Sequence, residues 1–210
     1  NQQKHTYSFW VKRGTLAANE VLIGAGTSTG GPYSFIRFNS TDQLDISYVT
    51  TGPTSQCSLQ SSAVYRDPSA WYHIVVAVDT TQATASNRVL MYVNGVQITS
   101  FATANYPTQN YDTGFNTANL TTIGQNASAQ YFDGYLAEIN WIDGQALTAN
   151  SFGSFNQYGV WQPINYGGSY GTNGYYLPFN AGSQSYAGGF SGSGQYLTLA
   201  SNTAFNIFGG

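Results

Sequence analysis

Strand signals follow one another along this chain at intervals too short for helices, and that spacing limits the fold more than any other feature. "TYSFWVKR" (residues 6–13) alternates with a period of two, turning Tyr7, Phe9 and Val11 to one side and Ser8, Trp10 and Lys12 to the other. "EVLIGAG" is a buried run closed by glycine. In "YSFIRFNS" Phe35 points opposite to Ile36 and Phe38, and "QLDISYVT" sets Leu44, Ile46 and Tyr48 against Asp45, Ser47 and Val49. "HIVVAVD" is a further strand, and "RVLMYVNGVQIT" reads as a hairpin. Its Asn94-Gly95 pair suits a two-residue type I′ turn, in which both positions need positive φ. "NLTTIGQN" and "QYFDGYLAEINWID" follow; the second sets Tyr135, Ala137, Ile139 and Trp141 against Leu136, Glu138, Asn140 and Ile142. Only "GQALTANSFGSF" suggests a helix, with Thr148 as N-cap, one turn over 149–152 and Gly153 as its stop. The pattern predicts an all-β chain: a two-sheet antiparallel β-sandwich of the jelly-roll kind with one short helix.

Composition supports this. Charged residues are 7% of the 210, against about 25% in ordinary soluble domains, while hydrophobic residues are 41% and aromatic residues 16%. Polarity is supplied by Ser, Thr, Asn and Gln, which suits turns and strand faces rather than long surface helices. Net charge is −3, and the basic residues Lys4, Lys12, Arg13, Arg37, Arg66 and Arg88 form no stripe that would neutralise a phosphate backbone. Nucleic acid is therefore not an expected partner. Neither is a membrane, since no apolar run approaches the ~18 residues of a spanning helix and no signal-peptide pattern is present.

From about residue 156 the texture changes to Gly, Tyr, Asn and Ser. Residues 1–157 read as the sandwich and 158–189 as an extension whose aromatic rings need surface to cover. Within it Pro178 confines "GYYLPF" to a sheet edge or strand end. Residues 190–210 contain a strand pattern, "QYLTLA", that either completes the sandwich, in cis or in trans, or opens a further domain.

The chain carries no G-x-S-x-G, H-E-x-x-H, C-x-x-C or Walker pattern. Cys57 is the single cysteine and reads as a buried, inert thiol. Sandwich glycosidases place two carboxylates on one strand face, and the candidates here are Asp133, Glu138 and Asp143. Glu138 differs by an odd number from both aspartates. Asp133 and Asp143 share parity but would stand roughly 33 Å apart along a strand. No catalytic residues are expected. His73 reads as a structural histidine at the start of a core strand. No cofactor is expected; for calcium, Asp42, Asp45 and Asp112 are available but form no D-x-D-x-D loop. Trp161, Tyr166, Tyr170 and Tyr175 are the candidate binding residues. Such rings stack on sugar faces, pack under their own loop, or meet a neighbouring subunit.

"SAWYHIVVAVD", "RVLMYVNGVQI", "IGQN" and "QYFDGYLAEINWIDGQALT" together resemble the concanavalin A-like lectin/glucanase superfamily in its laminin-G-like and pentraxin-like branch. The resemblance rests on Trp71, His73 and Asp79; Tyr92, Asn94 and Gly95; Phe132, Gly134, Leu136, Glu138 and Ile139; and Ala146, Leu147 and Thr148, over residues 6–155. It implies the fold, and the glucanase carboxylate motif is not matched. "SFWVKRGTL", "DGYLAEINWIDGQALTANSFGSF", "GVW" and "SYGTNGYYLPF" further resemble lectin-like domains in virion proteins of tailed phages. In laminin-G-like domains a strand precedes the "SFWVK" strand; residues 192–210 look like that strand displaced to the C-terminal side.

The expectation is a non-enzymatic virion surface protein: a phage fibre or a capsid or tail decoration subunit, located on the virion surface or otherwise extracellular. Its expected partners are host cell-surface glycan, other virion proteins, or copies of itself in a homo-oligomer. The alternatives are a carbohydrate-active hydrolase of the glucanase type and a self-assembling filament or lattice protein.

Overall fold

The computed structural model describes residues 2–26, 32–50, 54–117, 120–126, 130–179, 188–192 and 197–199. Its strands are β1 (Lys4–Arg13), β2 (Glu20–Gly26), β3 (Tyr33–Phe38), β4 (Gln43–Thr50), β5 (Thr54–Val64), β6 (Tyr72–Asp79), β7 (Val89–Val93) and β8 (Val96–Gln97). They continue with β9 (Phe101–Asn105), β10 (Thr121–Ile123), β11 (Asp133–Asp143), β12 (Gly153–Phe155), β13 (Trp161–Pro163), β14 (Tyr175–Leu177), β15 (Gly188–Ser191) and β16 (Leu197–Leu199). Two antiparallel sheets face each other. One runs β14-β11-β1-β6-β7-β8 with β15 also on β11, the other β16-β10-β2-β3-β4-β5-β9, and β12 with β13 forms a separate ribbon.

The core lies between the sheets and is built as alternation dictates. Tyr7, Phe9 and Val11 of β1 meet Ile36 and Phe38 of β3 and Leu44, Ile46 and Tyr48 of β4 in one apolar cluster. The Asn94-Gly95 turn has φ of 48° and 81°, the left-handed pair required where Val93 and Val96 face each other across a tight hairpin. Cys57 is buried in this core, and desolvation pushes its thiol pKa up, so it is not a ready nucleophile.

β11 departs from its expected alternation. Ser8 pairs with Asn140 but Trp10 with Ala137, so Phe9 stands opposite two residues, Glu138 and Ile139. Glu138 has φ 52°, the left-handed conformation that inserts one residue as a β-bulge. Below the bulge Leu136, not Tyr135, enters the core, and Tyr135 is exposed. Above it Ile139 and Trp141 face inward, as the alternation predicts. The inserted residue also breaks the parity of Asp133 and Asp143 and sends them to opposite faces.

The expected helix is a single 3₁₀ turn, Ala149–Ser151. Thr148 sits at its N-cap position without a side-chain cap bond, and Gly153 opens β12 rather than ending a helix. A second 3₁₀ turn, Ala85–Asn87, was not anticipated.

β14 is short and ends before Pro178. β15 pairs Gly188–Ser191 with Asp133–Leu136 of one sheet, while β16 pairs Leu197–Leu199 with Thr121–Ile123 of the other, both within the same chain. The remainder of the 190–210 strand pattern, residues 193–196 and 200–210, lies outside the described residues. Phe190 is buried against Phe132, with ring centroids 5.8 Å apart. Truncating this ring, Phe190→Ala, is expected to cost about 3 kcal/mol in chemical denaturation. Deleting residues 188–210 removes a strand from each sheet and is expected to lower the melting temperature further; unchanged melting of both variants would show that this segment adds nothing to the sandwich.

Candidate functional site

Two outer faces are candidates for function, and the chain treats them differently. On the β11-β1-β6-β7 sheet, the outward side chains Val75, Tyr92 and Ile142 are apolar and form a second cluster with Ala149, Phe152 and Trp161. Trp10, Leu147, Tyr166 and Tyr170 complete it, so residues 147–170 lie over this face as a cover. Three of the four sequence-predicted aromatics therefore come together, but as packing beneath their own loops. The Tyr166 ring lies 5.2 Å from Phe152 and 5.3 Å from Tyr170, and the Tyr170 hydroxyl donates to Asn140 Oδ1 at 2.8 Å. Tyr175 is not with them. It packs on the main core, and burial raises its phenol pKa well above the usual value.

Trp161 anchors the cover. Its indole N–H donates to His73 Nδ1 at 2.9 Å, and its ring stacks on the imidazole at 5.9 Å. A Cβ on either Gly95 or Gly153 would stand 2.4 Å from indole carbons, so both positions need glycine for the ring to fit. Trp10 stacks on the imidazole as well, at 5.0 Å.

His73 also lies 2.9 Å from Ser8 Oγ through Nε2, an arrangement that superficially resembles a nucleophile and its general base. The wiring is the reverse. Indole is a donor only, so Nδ1 must be the acceptor, the neutral ring must carry its proton on Nε2, and that N–H donates to Ser8. A histidine in this tautomer cannot take the serine proton. Burial alone lowers its pKa to about 3, and its Nδ1 faces the Trp161 indole rather than a carboxylate of the kind that orients a catalytic base. Ser8, His73 and Trp161 are a structural triad.

The acidic residues are engaged separately. Asp133 accepts from Thr15 Oγ1 at 2.6 Å, Glu138 from the Tyr176 hydroxyl at 2.5 Å, and Asp143 from Asn116 and the Asn173 backbone. Asp42 is held by Arg13 and Arg66, Asp45 by Arg37, and Asp112 by Gln3. Among the described residues no cluster of three His, Cys, Asp or Glu side chains is arranged to hold a metal ion.

The second sheet presents a polar outer face. The register sets Arg37, Asp45, Gln60 and Thr103 side by side across β3, β4, β5 and β9, with Phe35, Ser47 and Ser58 in the next row. Arg37 Nε donates to Asp45 Oδ2 at 2.7 Å and its Nη1 to Gln130 Oε1 at 3.1 Å. Its guanidinium also lies 4.3 Å over the Phe35 ring, which stacks on Tyr33 at 5.6 Å. Burial raises the Asp45 carboxyl above its usual range, with the Arg37 guanidinium opposing the shift. Ser47, Ser58, Gln60 and Thr103 are half-exposed, an array of hydroxyl and amide groups, while Phe35 and Asp45 beside them are buried. Sequence reasoning passed over this row. The available signal was the outward parity of Arg37 and Asp45 on adjacent strands.

The sequence profile described as the concanavalin A-like lectin/glucanases superfamily, Laminin_G_3, matches residues 1–153. The chain belongs to this superfamily. Its lectin-like sandwich resembles a heptameric SAP-like pentraxin from Limulus polyphemus (16% identity, TM-score 0.47), over 70% of this chain and 66% of the other. It also resembles domain 4 of AbnA, a GH43 extracellular arabinanase from Geobacillus stearothermophilus, in complex with arabinotriose (17%, TM-score 0.46, 69% and 63%). A third similar structure is the IT-sialidase CBM40 of Ruminococcus gnavus bound to α2,6 sialyllactose (15%, TM-score 0.47, 63% and 72%). This lectin-like chain thus spans slightly less than two thirds of the first two. No curated protein matches it.

The burial of His73 fixes its acid response. The folded imidazole stays neutral down to about pH 3, whereas in the unfolded chain it protonates near 6.5. Acidification through that window favours the unfolded state by about 1.4 kcal/mol per pH unit. NMR is expected to show the Nε2–H tautomer with no titration above pH 4, and His73→Gln to flatten this part of the stability profile.

Proposed function

We propose that this chain is a non-enzymatic, lectin-like virion surface protein, a phage fibre or a capsid or tail decoration subunit. Its polar sheet face takes host-cell glycan. The observation that carries the binding reading is the half-exposed array of Ser47, Ser58, Gln60 and Thr103, set side by side by the strand register and backed by the pair of Arg37 with the buried Asp45. Sugars are bound by fixed donors and acceptors beside aromatic rings, and this face holds half-exposed hydroxyl and amide groups on rigid strands near the half-buried Tyr33 ring. Membership in the lectin/glucanase superfamily supports the ligand class. The virion setting is supported by the likeness of residues 8–16, 133–155, 159–161 and 169–179 to lectin-like domains of tailed-phage virion proteins.

The non-enzymatic reading is supported by the separate engagement of Asp133, Glu138 and Asp143 and by the reversed Ser8–His73 pair. Glycoside hydrolysis needs two carboxyl groups about 5–10 Å apart flanking one bond. The hydrogen bonds of these three carboxylates go to different neighbours.

A glycan array followed by titration calorimetry tests the reading. Filling the centre of the face with Ser47→Trp, or removing an amide with Gln60→Ala, is expected to weaken binding by at least about tenfold, or 1.4 kcal/mol, without unfolding. Binding that ignores both changes would remove the site. Release of reducing ends from any bound oligosaccharide would overturn the non-enzymatic reading.

A further inference from the structure

An asparagine followed by glycine changes covalently without an enzyme. The glycine backbone nitrogen bonds to the asparagine Cγ, the Cγ–Nδ2 bond breaks, and Nδ2 leaves as ammonia with the glycine amide proton. Water then opens the cyclic imide to aspartate or isoaspartate. No electrons are transferred, and water is the only co-reactant. Glycine favours the step because it has no side chain to hinder the approach of its nitrogen. The sequence holds two such dipeptides, Asn94-Gly95 and Asn173-Gly174, and the fold treats them differently.

The first is locked. Asn94 is half-buried, and its φ of 48° belongs to the tight turn between β7 and β8. Its Oδ1 accepts from the His73 N–H at 2.7 Å, and its own N–H donates to the His73 carbonyl at 2.8 Å. Gly95 lies against the Trp161 indole so closely that a Cβ there would overlap the ring. Ring closure needs the attacking nitrogen and Cγ in a near-attack geometry. Asn94 reaches it only by turning the 94–95 peptide, which opens the hairpin and drives Gly95 against the indole.

The second is held by its side chain alone. Asn173 is exposed and lies in a bend ahead of β14, outside any strand. Its Nδ2 donates to Asn116 Oδ1 at 2.8 Å, a bond open to water. Swinging the side chain toward Gly174 breaks that bond and no strand pairing. The glycine is demanded by the fold, since a Cβ at 174 would overlap the Tyr170 carbonyl oxygen. The packing that docks this bend on the sheet thus also installs the reactive dipeptide.

We infer that Asn173 is a site of spontaneous deamidation in the folded chain, at which conversion loosens β14, while the hairpin protects Asn94. The new carboxylate would face the Asn116 carbonyl oxygen that now accepts from Asn173. Asp143 Oδ1 is one hydrogen bond further on, bound to Asn116 Nδ2 at 2.8 Å. A lost donor and a like charge beside Asp143 both weaken the bend, and isoaspartate adds a backbone carbon just before Tyr175–Leu177 pairs with Ile139–Trp141. Asn173 is no part of the polar sheet face proposed to take glycan, so the two readings stand or fall separately.

Peptide mapping by mass spectrometry, after incubation of the full chain at mildly alkaline pH with and without denaturant, tests this. In the folded chain Asn173 is expected to convert at least about tenfold faster than Asn94, and in denaturant the two rates are expected to converge. Residues 144–210 contain no Asp, Glu, Lys, Arg or His, so the product carries the first charge in that segment and separates on an anion exchanger. Amide hydrogen exchange of this acidic fraction is expected to be faster over 175–177. Asn173→Gln is expected to suppress the acidic fraction. Equal rates at the two sites in the folded chain, faster conversion at Asn94, or an acidic fraction that persists in Asn173→Gln would overturn the assignment. Unchanged exchange over 175–177 would overturn the loosening of β14.

Discussion

One hydrogen bond, from the Trp161 indole N–H to His73 Nδ1, ties the β12–β13 ribbon to the sandwich. It fixes the imidazole tautomer, and through it the direction of the Ser8 contact. It sets the depth at which the indole sits, and so the need for glycine at 95 and 153. The ribbon takes its place from the same ring. A buried imidazole with an unpaired nitrogen would cost about 1–3 kcal/mol, so the bond also removes a penalty that β6 would otherwise carry.

The apolar and polar outer faces follow from what each strand turns outward. β6, β7 and β11 place Val75, Tyr92 and Ile142 there, and apolar side chains require a lid. β3, β4, β5 and β9 place Arg37, Asp45, Gln60 and Thr103 there, and those groups satisfy one another in pairs, Arg37 with the buried Asp45 and Thr103 with Gln60. At one margin of the sandwich a buried ionic knot does comparable work for the loops. Arg13 reaches Glu20 at 3.0 Å, Asp42 at 3.1 Å and the Tyr65 carbonyl at 2.7 Å, with Phe38 beneath its guanidinium. Arginine suits this place because its planar fork bonds several acceptors at once while stacking on a ring.

Period-two alternation made β1, β3, β4 and the Asn94-Gly95 hairpin legible in the sequence, since a half-buried strand can hide only every second residue. It failed at Glu138. A bulge adds one residue to the count, and a glutamate in the left-handed region carries none of the glycine signal that usually marks one. Pairing parity across that point therefore misplaced Tyr135 and Leu136. The aromatic excess of the extension indicates a need for surface, yet composition does not say which surface. Trp161, Tyr166 and Tyr170 found it on their own sheet. The polar row was hidden for a different reason: Arg37 and Asp45 are eight residues apart in sequence and become neighbours only through the β3–β4 register.

The position of β1 has a consequence in time. It lies between β6 and β11, and its pairing with β11 joins residues 5–13 to residues 134–143. On a ribosome adding about 5–20 residues per second, its second edge stays without its native partner for on the order of ten seconds after the first strand emerges. Through that interval Tyr7, Phe9 and Val11 belong to a sheet margin open to other nascent chains. The alternation that makes β1 a good centre strand thus makes it the segment with most to gain from a chaperone during synthesis.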